Sequence, residues 1–76
     1  MITVKLYGLL RIESGIREKR LEAKTVTDIF QALTDSGIPT KDLRGCVVLI
    51  NGSPANKRSK LTDGDTVVLM SPVAGG

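Results

Sequence analysis

The stretch "TVTDIFQALTDSG", residues 25–37, is the one place in this 76-residue chain where apolar residues recur with a clear helical period. Val26, Ile29, Phe30 and Leu33 stand at i, i+3, i+4 and i+7, which gathers them on one face. Thr25 with Asp28 three positions on reads as a capping box, in which each side chain satisfies a backbone N–H at the helix start. Gly37 suits the left-handed position that closes a helix, and Pro39 follows where the helix can no longer continue.

Outward from that helix the period changes to two. Ile2, Val4 and Leu6 alternate with Thr3, Lys5 and Tyr7, which predicts a strand with one buried face. Gly8 interrupts the alternation, and "ESG" (13–15) supplies turn chemistry before a second strand within "IREKRLEA" (16–23). Ile16 and Leu21 differ in parity there. The strand therefore carries a bulge, or it is a loosely specified edge whose charges discourage further pairing. On the other side, "CVVLIN" (46–51) and "TVVLM" (66–70) are apolar on both parities, as expected of strands covered on both faces or central in a sheet. Between them, Asn51-Gly52 and "TDGD" (62–65) read as turns, and "NGSPANKRSK" (51–60) has loop composition with room for a short strand.

The order is strand, strand, helix, strand, loop, strand. The first two strands should pair antiparallel, and the first and last should lie side by side in the middle. The helix stripe and one sheet face must bury each other. This is the α+β, β-grasp plan: residues 1–71 form a small mixed sheet covered by one main helix, and residues 72–76 form a flexible, extended C-terminal Gly-Gly tail.

Composition narrows the function. Aromatic residues make up 3% of the chain, Tyr7 and Phe30 alone, so the core is aliphatic. No apolar run approaches the roughly 20 residues that span a bilayer. No basic-then-apolar leader opens the chain, which leads us to expect a cytoplasmic protein with no membrane partner. Cys46 stands alone and histidine is absent, which leaves neither an internal disulfide nor a zinc constellation. The net charge is +3, but Glu13, Glu18 and Glu22 are interspersed among the basic residues of the first third. That mixture describes a solvated face rather than a phosphate-tracking stripe. "KRSK" (57–60) lacks a neighbouring aromatic to stack on bases, so we read it as a solvated loop and expect no nucleic-acid partner.

The string "LTDGDTVVLMSPVAGG" (61–76) resembles the C-terminal end of ubiquitin-like sulfur carriers, in which a leucine, an Asp-Gly-Asp turn, an apolar strand and a Gly-Gly end recur in this order. The ending Pro72-Val73-Ala74-Gly75-Gly76 is most similar to the small subunit of molybdopterin synthase (MoaD-type). "VKLYGLLR" (4–11) and "TVTDIFQAL" (25–33) are similar to that group's first strand and helix start. The chain departs from the group in carrying aliphatic residues where phenylalanines are common in the first and last strands. Thiamine-pathway carriers (ThiS-type) share the fold and the Gly-Gly end but typically lack the proline-valine pair.

The chemistry of such a tail can be argued from its atoms. A Gly76 carboxylate is ionised at neutral pH and inert as an electrophile. Adenylation by an ATP-using partner would activate it, and a sulfur nucleophile would then displace AMP and leave a thiocarboxylate. Glycine at 75 and 76 lets a narrow channel close on the backbone. Pro72 fixes its own φ and biases Ser71 toward extended backbone, while Val73 and Ala74 offer small apolar contacts. The resemblance implies two docking events: first on an adenylating enzyme related to ubiquitin activators, fed by a sulfur donor system, then in the large synthase subunit. There the thiocarboxylate would donate sulfur in molybdenum cofactor biosynthesis. The chain itself is expected to bind no cofactor and to contribute no general acid, general base or metal ligand. The open alternatives are a carrier for thiamine thiazole synthesis, a modifier joined to lysines through Gly76, and a β-grasp binding module with an idle tail.

Overall fold

The alternation of the first residues becomes β1 (Ile2–Tyr7), with Ile2, Val4 and Leu6 all buried. The computed structural model describes residues 1–71, so the expected tail of residues 72–76 lies outside the described residues. After β1 come α1 (Leu9–Ser14), β2 (Glu18–Leu21), α2 (Val26–Asp35), α3 (Thr40–Leu43), β3 (Val47–Ile50), β4 (Ser53–Ala55) and β5 (Thr66–Met70). The five strands form one mixed sheet in the order β2-β1-β5-β3-β4. β1 and β5 run parallel at its centre, and every other neighbouring pair is antiparallel. The fold is β-grasp, with one principal helix over one face.

α2 has the ends its sequence requires. The Asp28 N–H donates to Thr25 Oγ1, and the Thr25 N–H donates to Asp28 Oδ2, completing the capping box. At the other end Gly37 adopts φ 107°. Its N–H donates to the Thr34 carbonyl, and that of Ile38 donates to the Leu33 carbonyl. This is a Schellman closure, with buried Leu33 and Ile38 as its apolar pair. The Val26 and Thr27 N–H groups, which have no partner within the helix, donate to the Ser59 and Lys57 carbonyls. "KRSK" is thus a strap over the helix start.

Val26, Ile29 and Leu33 pack with Ile2, Val4, Leu6, Val48, Val67 and Leu69 into one aliphatic core. Phe30, placed on the same stripe by its spacing, is only half-buried at the margin of that core. It stands one residue round from the centre of the stripe, on the side that faces a groove rather than the sheet.

Several sequence expectations change. The segment after Gly8 is a short helix, α1, which inserts Leu10 into the core; spacing alone gave a turn. The second strand shrinks to Glu18–Leu21 and needs no bulge, because Ile16 lies ahead of it. α3 follows Pro39 and buries Leu43. Of the two alternatives for β3 and β5 the central one holds, since both are interior strands of the sheet, but they are not covered on both faces: Val47 is 49% exposed and Met70 42%. With a single covering layer of helices, their second apolar parity faces outward.

The turns follow their chemistry. Asn51 and Gly52, both at positive φ, join β3 to β4. Asp65 accepts from the Thr62 N–H and from Asn51 Nδ2, and these bonds hold its carboxyl below the usual range. Asp63 pairs with the Met1 ammonium. Both aspartates are turn formers.

Candidate functional site

The described residues end at Ser71, whose surroundings are specific. β5 is flanked by β1 and β3, so its C-terminal end lies in the middle of the sheet. Ser71, the first residue past the strand, is 8% exposed, and it is the one buried polar residue among those described. Its Oγ accepts a hydrogen bond of 3.1 Å from the Leu10 N–H. α1 has no side-chain cap of its own, so Ser71 supplies one to Leu10 from 61 residues away in sequence. Gly8, at φ 68°, lies against it. A Cβ at Gly8 would stand 2.7 Å from the Ser71 carbonyl oxygen, closer than side chains tolerate.

Beside this root lies the outer sheet face. Alternation turns Lys5 and Tyr7 of β1, Val68 and Met70 of β5, and Val47 and Leu49 of β3 away from the helices. Register places Tyr7, Met70 and Val47 in one row across three strands. At the usual strand spacing, that row is about 10 Å wide. Val68 and Leu49 form the row behind it, continued by exposed Pro54 on β4. Leu9 and Ile12 of α1 are exposed at the same end of the sheet as the root. Left uncovered, such a contiguous apolar face forgoes the stabilisation that burial would give. Lys5 pairs across from Glu18, and Thr3 across from Arg20, so the face becomes polar toward β2.

Of the expected site residues, Pro72, Val73, Ala74, Gly75 and Gly76 all lie outside the described residues; their root is what the structure places. Sequence reading missed Gly8, Leu10 and Ser71 as a unit, since no local pattern joins positions so far apart. The apolar double parity of "CVVLI" and "TVVLM" was the available signal for the outer face, but it does not say which parity is outward. Cys46, just ahead of β3, is half-buried, and burial pushes its thiol up from the ordinary range. It packs against the aliphatic core as a small apolar side chain. Among the described residues no three His, Cys, Asp or Glu side chains are close enough to hold a metal, and no helix is long and apolar enough to cross a membrane.

A family model, that of the ThiS family, matches residues 4–76, the tail included. The chain belongs to the ThiS family. Among solved structures, small archaeal modifier protein 1 from Haloferax volcanii is 28% identical with a TM-score of 0.80, covering 99% of this chain and 98% of that one. Molybdopterin-converting factor from Helicobacter pylori, solved as a complex of its subunits 1 and 2, gives 23% identity and a TM-score of 0.67 over 99% and 97% of the chains. The BexX/CysO complex of Amycolatopsis orientalis gives 22% and 0.71, with both chains fully covered. The last two likenesses speak for the fold alone. No curated protein matches the chain. Membership in this family of ubiquitin-like sulfur carriers agrees with the β-grasp architecture described above.

Proposed function

We propose that this ThiS-family chain is a cytoplasmic sulfur carrier whose Gly76 carboxylate, as the C-terminus, is adenylated by a partner and then converted to a thiocarboxylate. A carboxylate oxygen attacks the α-phosphorus of ATP and pyrophosphate leaves. Hydrosulfide-level sulfur then adds to the acyl carbon, the bond to AMP breaks, and one proton is released. The chain supplies the acyl group and the docking face; the partner supplies ATP, the magnitude of activation and the exclusion of water. The observation that carries this reading is the family match running to residue 76, through a segment rooted beside the bare apolar face. Within that reading, the Pro72-Val73 pair favours delivery of sulfur to the large subunit of molybdopterin synthase.

A second reading has its own support. The 28% identity to small archaeal modifier protein 1 favours transfer of the same activated Gly76 to lysine amines, with an isopeptide bond in place of the thiocarboxylate. Intact mass of the protein from its native cell separates the two. One terminal oxygen replaced by sulfur on a chain ending at Gly76 supports the carrier, and lysine-linked conjugates support the modifier. A carrier amidated at Gly76 that still restores sulfur transfer would refute both. Co-purification of a pterin synthase large subunit, rather than a thiazole synthase, is the result expected for the pathway.

A further inference from the structure

We propose that Ser71, held between the Gly8 backbone and the Leu10 N–H, is a positioning residue that fixes the point from which residues 72–76 enter a partner's site. The proposal rests on the carrier reading and adds the element that makes the reach of the tail definite.

Five residues extend at most about 18 Å, so Gly76 can touch only what lies within that distance of its root. Docking of the sheet face sets where the body sits on the partner. Whether the carboxylate then arrives at a reacting phosphorus depends on where residue 71 is. A strand end normally frays, since it has lost its ladder partners on one side. Here the end is pinned by three features outside the ladder. Ser71 is buried, its Oγ takes the Leu10 N–H at 3.1 Å, and its carbonyl and Oγ rest where a Gly8 side chain would have to stand. Gly8 itself holds φ 68°, ψ −144°, a conformation that disfavours any other residue and turns the chain from β1 into α1. The clamp thus joins the ends of the two central, parallel strands, β1 through Gly8 and β5 through Ser71.

A hydroxyl used only to cap α1 would affect stability and nothing else. A hydroxyl that positions the tail affects the step after docking. Freeing one backbone residue costs enough entropy to change a rate by about 5- to 30-fold. That loss falls on kcat, because the docking face on the outer parity is untouched and KM reports docking.

The test uses the full-length chain as substrate for the ATP-dependent adenylating enzyme of its source cell, with pyrophosphate release as the readout. Thermal melts define a temperature at which each variant is folded. Ser71→Ala should lower kcat by about 5- to 30-fold with KM within about two-fold of wild type, and the Leu10 amide should exchange faster with solvent. Gly8→Ala, which disturbs the clamp from the other side, should give the same split; if it fails to fold, Ser71→Ala decides alone. An unchanged kcat for Ser71→Ala beside an active wild type overturns the clamp, as does a loss confined to KM. A wild-type chain that is not adenylated overturns instead the carrier reading beneath it.

Discussion

Ile29 and Phe30 are adjacent on α2, and the structure reverses the order in which their truncation should matter. By size alone Phe→Ala is the costlier change, at about 3–5 kcal/mol for a buried ring. Phe30, however, is half-buried and borders an open groove of about 610 Å³, into which water already reaches. Its truncation leaves no sealed cavity, so only part of the transfer term is lost, about 1–2 kcal/mol. Ile29 is fully enclosed among Val4, Leu33 and the rest of the aliphatic core. Ile29→Ala loses the whole transfer term and leaves a void, about 3–4 kcal/mol. A domain of this length has a total stability of about 4–11 kcal/mol, so Ile29→Ala removes about a quarter of it or more. At about 4–8 °C per kcal/mol, the Tm should fall by at least about 12 °C for Ile29→Ala. For Phe30→Ala the expected fall is about 4–16 °C at the same scaling, and smaller than that of Ile29→Ala in the same buffer. Urea titration with far-UV dichroism measures both, and equal m-values establish that the denatured states are comparable. If Phe30→Ala costs as much as Ile29→Ala, the ring is a core residue and the packing described for α2 is wrong.

Deleting Gly76 should abolish sulfur loading, read by intact mass, while leaving the Tm nearly unchanged; a large fall in Tm would place the tail within the folded body. Met70→Asp puts a carboxylate in the centre of the outer row, where it remains solvated in the free protein but must be desolvated on docking. Partner affinity by calorimetry should drop at least about 10-fold with little change in Tm, and retained affinity would move the docking surface elsewhere. The folded Asp28 carboxyl is held below its ordinary value chiefly by the Lys24 N–H, then by the Thr25 N–H. Its contribution to stability is therefore present above the unfolded value of 3.8 and is lost as pH falls through the lower folded value. The Tm gap between wild type and Asp28→Asn should be widest near neutrality and close on acidification below about pH 4, and a gap that widens in acid would contradict the cap.

What the sequence determined by itself was everything encoded over a few neighbours. The alternation of Ile2, Val4 and Leu6 specified a one-faced strand, and the Thr25–Asp28 box and Gly37 delimited α2, because those hydrogen bonds close within a single turn. The Asn51-Gly52 and Asp63-Gly64-Asp65 turns were legible for the same reason. From strand order and one helical stripe the β-grasp plan followed, and from the last five residues the candidate chemistry. Only the tertiary structure decided which parity of β3 and β5 is bare, that Phe30 sits at the margin, and that Ser71 is clamped by Gly8 and Leu10. An apolar residue carries the same local signal whether a helix or water covers it. A serine likewise reveals no partner that lies 61 residues away. Both facts depend on which surfaces the folded chain brings together, and a sequence window holds only one of them.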